Sequence, residues 1–461
     1  MPTTITPVTV SSRKPANEHD RLIQMSSALI KQLNLSERKT IYISLGKTIA
    51  ILNIQAIDKS GNEIILPENV LESFRLPIQT YKFQAHYLSE TNTLKLGPVI
   101  ALLTNFSFKE NEEPNFRSVH KFCEELDQVI KGNSGFFYVF SFDQFLAKGY
   151  YLHDEKWIPG ELPIPDVIYN RIHSRKLEQT NGFIQFRKDL ELFLIPLFND
   201  RFLSKWEVYE QIHHEKSILS SIPETQIFSK ENLYDLAQKY ETVFIKPIHG
   251  SQGRNIIKLC REKDNRYMFQ SSLQTGQELS QTEFPLEEIY EHLKPILQNR
   301  IYIVQQGISF LTKDLRPMDF RVLCHKSSPN QWGITSIVAR IGAEQEFVSN
   351  LARGGTIMRP LEALSESMGI KKAKKTISKI KELALEIASS ISSSTQGIIG
   401  ELGIDIGVDI KGKPWLIEVN SKPSKSFEEN EGKIRPSAKA IIQFCTTLVF
   451  EIASGKEGLN K

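Results

Sequence analysis

Residues 403–420, GIDIGVDIKGKPWLIEVN, constrain this chain more than any other segment, because their alternation fits one kind of local structure. Asp405, Gly407 and Asp409 take every second position with Ile404, Ile406, Val408 and Ile410 between them, and a period of two puts the two sets on opposite faces of a strand. Leu416, Glu418 and Asn420 alternate with Ile417 and Val419 in the same manner. With Lys411-Gly412 as a two-residue hairpin turn, residue 410 pairs with 413, and the same register sets Asp405 across from Glu418. Directly opposed Cβ atoms lie about 4.5–5.5 Å apart, where like charges repel unless something neutralises them. The pattern therefore predicts a wet face on which two carboxylates share a cation. Asp405, Glu418 and Asn420 supply oxygen ligands, which suits Mg²⁺ with room left for water and phosphate oxygens. The plainer alternative is an exposed strand pair with ordinary surface acids, but Glu and Asn are poor strand formers where Val or Thr would serve.

The rest of the chain bounds what such a site can belong to. At 461 residues it exceeds the roughly 250–300 at which a single core stops growing, so several domains are expected. Residues 1–36 read as a polar, flexible tail and a short amphipathic helix carried by Leu22, Ile23, Ala28, Leu29 and Leu33. Residues 37–93 hold KTIYISLG, TIAILNIQAI and EIILPENV, short Ile-rich runs broken by Gly61-Asn62 and Pro67, which predict a small β-rich domain. From Leu94 the apolar runs LKLGPVIALLTN, GFFYVFSFDQF and PDVIYNRI, with a helical stretch at 117–130, read as buried parallel strands of an α/β domain over 94–198. Residues 199–461 open on NDRFLSKWEVYEQI, where Asn199 and Asp200 can cap a helix, and continue as an α+β mixture. The lysine-rich stretch 371–382 reads as the solvated face of a helix.

Composition excludes several function classes. A formal charge of +3 gives no global footprint for nucleic acid, and no apolar run approaches the roughly 18 residues of a spanning helix. Cys123, Cys260, Cys324 and Cys445 are dispersed, and the first twenty residues lack the apolar core of a signal peptide, so a reducing, cytoplasmic setting is expected.

Three further segments carry chemistry. In TVFIKPIHGSQGRNIIKL, Lys246 ends an apolar strand and Gly250, Ser251 and Gly253 form a loop whose amides can turn toward phosphate oxygens. The P-loop spacing is missing, and a simple hairpin turn is the plainer reading. In IYIVQQGISFLTKDLRPMDFRVLCHK, Asp319 and Arg321 share one face of a strand, and Arg321 is a fixed fork for phosphate or carboxylate, with a strand-to-strand salt bridge as the alternative. In FVSNLARGGT, Asn350 and Arg353 precede a Gly-Gly turn. His213 and His214 read as surface or capping residues.

Taken in order, Lys205 of SKW, FIKP with HGSQG, IVQQ, DFR, SNLARGG, GID and EVNSKP resemble the motifs of the ATP-grasp superfamily, particularly ribosomal-protein glutamate ligases and bacterial glutathione synthetases. The ordered set is far more specific than any one member. Over most of its length, LGPVIALLTN and PDVIYNRIHSRKLE included, the chain is similar to the endospore coat-associated ATP-grasp family YheC/YheD. The resemblance implies an ATP-grasp fold, α+β and α/β in class, preceded by a small α/β pre-ATP-grasp domain and an N-terminal β-rich domain. It implies that Lys205 and Lys246 contact ATP phosphates, that Gly250, Ser251 and Gly253 close over them, and that Gln305, Gln306 and Gly307 line the adenine hinge. Asn350 would stand beside the triphosphate, and Asp319 would belong to the cofactor-binding set. Asp405, Glu418 and Asn420 would hold one or two Mg²⁺ ions, with Mn²⁺ as a substitute, and Arg321 and Arg353 would face the transferred phosphate. Val348 departs from the pattern, standing where the glutamate ligases carry arginine. The implied reaction joins a carboxylate to an amine, on an amino acid, a peptide or a protein terminus, with spore-coat proteins as partners. A small-molecule kinase, or an ATP-binding coat component without turnover, fits the same motifs.

Overall fold

The computed structural model describes residues 5–106, 113–250, 254–263, 266–271, 283–297, 300–343, 354–425 and 433–453. Its first unit is a closed barrel of seven strands: β1 (Thr6–Arg13), β2 (Leu22–Ser26), β3 (Thr40–Leu45), β4 (Thr48–Ile57), β5 (Glu63–Pro67), β6 (Tyr81–Leu88) and β7 (Thr93–Gly97), in the order β1-β5-β2-β4-β3-β7-β6. Three sequence expectations change here. Residues 6–13 form β1 instead of a flexible tail, because Val8 and Val10 alternate with polar residues and are buried in the barrel core. Leu22 and Ile23 lie on β2, and the helix is confined to Ser27–Gln32 behind its Ser26 cap. The run from Leu94 is two strands: β7 pairs with β3 and β6, Pro98 interrupts, and the next strand enters a different sheet.

That second sheet contains β8 (Val99–Leu103), β9 (Phe136–Phe140), β10 (Gly149–His153), β11 (Lys156–Gly160), β12 (Val167–Asn170) and β13 (Leu197–Phe198), ordered β11-β10-β9-β8-β12-β13. The strands β8, β9, β12 and β13 run parallel, as their continuous apolar sequences require when both faces are covered. One face packs against the barrel and the helix Asn181–Leu192; the other meets the helix His120–Asn133 and the last helix of the chain, Pro436–Ala453. A buried Lys95–Asp166 ion pair ties the barrel to this sheet, with Asp166 also accepting from the Val99 amide at 2.9 Å.

A third, antiparallel sheet holds β14 (Thr225–Ile227), β15 (Thr242–Pro247), β16 (Ile257–Arg261), β17 (Arg266–Ser271), β18 (Phe284–Pro285) and β19 (Tyr302–Gln306), ordered β14-β19-β15-β16-β17-β18. The fourth contains β21 (Arg316–Ser328), β22 (Gln331–Ile341), β23 (Thr356–Met358), β24 (Glu401–Val408) and β25 (Pro414–Asn420), ordered β23-β22-β21-β24-β25, with the short β20 (Thr312–Lys313) on β21. The helix Ile370–Ser394 lies across it through Ala373, Ile380, Ala384, Ile387 and Ile391, leaving Lys371, Lys372, Lys374, Lys375 and Lys379 in solvent. Among the described residues no helix is long and apolar enough to cross a membrane.

Candidate functional site

The hairpin of β24 and β25 pairs Asp405 with Glu418, but by a different route from a two-residue turn. The Asp409 amide donates to the Lys413 carbonyl and the Gly412 amide to the Asp409 carbonyl, giving a three-residue loop closed by Gly412 at φ +83°. That loop shifts the register by one, and a bulge at Ile417 shifts it back, since Ile406 pairs with Leu416 while Asp405 pairs with Glu418. The bulge also turns Leu416 away from Glu418 and Asn420 to join Val419 in the core, and its amide donates to the Ser221 carbonyl at 2.8 Å.

The polar face of β24 is buried, not wet. Asp405 accepts from Arg321, its cross-strand partner on β21, through Nε and through Nη2 at 2.8 Å. Arg340 on β22 reaches the same carboxylate at 3.0 Å and binds Asp319 through Nε and Nη2, each at 2.6 Å. Burial alone would raise the Asp405 carboxyl, but Arg321 and Arg340 outweigh it and hold it below the usual carboxylate range. Asn420 Nδ2 stands 3.5 Å from Asp405 Oδ2. Asp319 and Arg321 thus share a face as expected, yet each bonds a partner on a neighbouring strand. Arg340, in SIVARI, is a charged residue that the sequence reading missed; its only signal was a charged side chain inside an Ile-rich strand.

Glu418 looks the other way along the cleft. Lys205 Nζ donates to Glu418 Oε1 at 2.7 Å and to the Gly250 carbonyl at 3.2 Å. Lys205 is fixed because it is the first residue of the helix Lys205–Ile212, whose Ser204 and Glu207 form a reciprocal cap. Lys246 Nζ on β15 donates to Gln305 Oε1 of β19 at 2.6 Å. Burial pushes the Lys246 ammonium down to about 8, with Lys205 adding to the shift and Glu418 opposing it.

These lysines close one end of a pocket of about 430 Å³, open mouth included, between the third sheet, β25 and the helix Lys205–Ile212. Its walls are Val208, Tyr209, Ile212, Ile222, Pro223, Ile303, Leu416 and Val419, with Thr225 and Gln305 as polar points. Apart from Leu416 and Val419, these apolar walls were not assigned a role by the sequence reading: they come from a helix face, a loop and β19, where apolar residues read only as core. Gln305 lines the pocket and also accepts and donates within the sheet, its Nε2 reaching Thr225 Oγ1 at 2.8 Å. The amides of Gln306 and Gly307 are bonded to the carbonyls of Glu224 and Thr242, each at 2.8 Å, because both edges of β19 are paired. Ser251, Gly253, Val348, Asn350 and Arg353 lie outside the described residues.

Apolar walls with two lysines at one end fit a flat base followed by phosphates. The donor chemistry is of the kind a hard cation takes: Asp405, Glu418 and Asn420 carry side-chain oxygens on one strand pair, and Mg²⁺ uses few protein carboxylates. In the structure the cationic partners of those carboxylates are Arg321, Arg340 and Lys205.

A family model described as YheC/D like ATP-grasp matches residues 194–448. The chain is 26% identical over 374 residues to the endospore coat-associated protein YheD of Bacillus subtilis, covering 79% of this chain and 80% of that protein. It is 25% identical over 284 residues to the endospore coat-associated protein YheC of the same organism, covering 60% and 76%. Among solved structures it is similar to the D-alanine-D-alanine ligase from Coxiella burnetii, at a TM-score of 0.42 and 11% identity, covering 78% of this chain and 97% of that one.

Proposed function

Because the chain belongs to the YheC/D-like ATP-grasp family, we propose that it binds ATP with Mg²⁺ in the pocket between β19 and β25 and uses it to join a carboxylate to an amine. The observation that carries this reading is the placement of Lys205 and Lys246 around Glu418 at one end of an apolar pocket. The base would lie against Tyr209, Ile222 and Leu416, and the lysines would meet the phosphates. Glu418, Asn420 and Asp405 would hold Mg²⁺, which supplies charge neutralisation at the triphosphate. Arg321 and Arg340 keep Asp405 ionised and oriented. The chain's part is positioning and charge stabilisation, so no nucleophilic side chain is required.

In this reaction a substrate carboxylate oxygen attacks the γ-phosphorus and the bond to ADP breaks. The amine then attacks the acyl carbon, phosphate leaves, and the amine proton passes to water. The coat association named for both B. subtilis relatives supports placing the activity at the spore coat.

The test is to incubate the full chain with Mg·ATP and pools of amino acids, peptides and cell-wall precursors, following phosphate release and product mass. Phosphate release that depends on the amine, with a product heavier by the joined residue, is expected. ADP with a phosphorylated hydroxyl product would replace ligation by kinase chemistry, and binding without turnover in every pool would replace it by a structural role.

A further inference from the structure

Arg175 is a half-buried arginine that makes no ion pair among the described residues. It stands just past the carboxyl end of β12, on the edge of the parallel strands where open α/β sheets collect ligands. Its Nη1 lies 3.0 Å from His249 Nδ1, its Nη2 donates to the Leu203 carbonyl at 3.2 Å, and its guanidinium carbon is 4.9 Å from the centre of the Phe202 ring. The neighbouring cations are matched: Lys422, 4.7 Å from the same ring centre, is bonded to Glu178, and Arg171 and Lys425 converge on Glu401.

The acids near Arg175 are matched as well. Glu418, Glu178 and Glu207 all favour its charge, but their own ion pairs are with Lys205, Lys422 and Arg201. Burial, the largest influence, works against that charge and lowers the guanidinium from its ordinary range. A desolvated fork with no carboxylate of its own, beside a nucleotide pocket, is a place where an incoming oxyanion gains most. His249 fixes the fork further: arginine only donates, so Nδ1 accepts and the neutral imidazole carries its proton on Nε2. Burial, Arg175 and Lys205 lower the His249 pKa against Glu207, which favours that neutral form.

We propose that Arg175 is the oxyanion-binding residue of an acceptor subsite beside the nucleotide pocket, and that the molecule bound there presents a carboxylate to its fork. The proposal rests on the nucleotide reading above and adds to it a recognition residue from the segment that follows β12 of the second sheet. A carboxylate suits it because two coplanar oxygens match a planar fork, and a phosphate group shares that chemistry less closely.

To test this, the full chain saturated with Mg²⁺ and a non-hydrolysable ATP analogue is titrated with malonate and, in a parallel arm, with inorganic phosphate. Wild type, Arg175→Gln and Arg175→Lys are compared. Malonate is expected to saturate the wild type and to bind at least about tenfold more weakly to both variants, because lysine restores the charge but not the fork. The analogue should bind all three within about twofold. Arg175-dependent binding of phosphate with none of malonate would overturn the carboxylate assignment. Malonate affinity unchanged in both variants, no malonate binding by the wild type, or equal loss of the analogue would overturn the subsite. Failure of the wild type to take the analogue would instead remove the nucleotide reading, and the subsite with it. Unfolding midpoints recorded alongside show whether each variant is folded, and the lysine variant carries the comparison if the glutamine variant is not.

Discussion

Lys246 is where burial and charge are most delicately balanced in the pocket. An unfolded lysine keeps its proton to about pH 10.5, whereas Lys246 releases its proton near 8 because burial disfavours the ammonium. Between those values the unfolded chain binds more protons than the folded one, so this residue makes stability rise with pH across that window. Nucleotide binding runs the opposite way, because phosphates favour the ammonium. Mg·ATP affinity is therefore expected to fall as pH rises past about 8, with proton uptake on binding, and Lys246→Gln should abolish the uptake. Calorimetry in buffers of different ionisation enthalpy measures it; equal uptake by the variant would remove Lys246 from the phosphate site. Glu418 makes a separate demand. Glu418→Gln replaces the charged carboxylate proposed to hold Mg²⁺ by a neutral amide and removes the ion pair with Lys205, while Asp405 keeps its two arginines. The Mg²⁺ concentration that half-saturates nucleotide binding should rise at least about tenfold with little change in unfolding midpoint. An unmoved Mg²⁺ midpoint would count against the metal assignment.

At the level of elements, alternation revealed the hairpin but not its irregularities. The register of Asp405 and Glu418 follows from period two and a turn, yet the structure reaches it through a longer loop and a compensating bulge. Both are local answers to non-local demands, since the bulge lets Leu416 bond Ser221 and wall the pocket. Arg340 was illegible for the same reason: only the pairing of β22 with β21 brings it to Asp319 and Asp405. Gly407 shows a demand that can be measured. A Cβ there would lie 2.4 Å from the Phe310 ring, so Gly407→Ala is expected to cost about 1–3 kcal/mol. Adding Phe310→Leu should recover part of that loss in urea unfolding. A pair of changes that simply adds would mean the ring is not what occupies the space.

Across the whole molecule, the last helix turns separate sequence segments into one core. The sequence reading assigned no element to Pro436–Ala453, and the structure sets this helix between β21 and the second sheet. Phe444 packs edge-on against Phe198 with ring centres 5.4 Å apart, in a space that exists because Gly400 has no side chain. Ala438, Ile441, Ile442, Cys445 and Leu448 complete the same cluster, which also contains Trp157 of β11. A residue from the far end of the chain therefore stabilises a sheet whose first strand begins at Val99. Phe444→Ala should cost about 3–5 kcal/mol, the usual range for emptying a buried aromatic site. Because Phe444 is not among the residues lining the pocket proposed to take the nucleotide, Mg·ATP affinity under folding conditions should stay near wild type. Single-tryptophan variants keeping Trp157 or Trp415 report on the second and fourth sheets separately. If the helix couples those sheets, Phe444→Ala lowers both urea midpoints together. A midpoint that moves for Trp157 alone would show that the fourth sheet unfolds independently of the layer this helix seals.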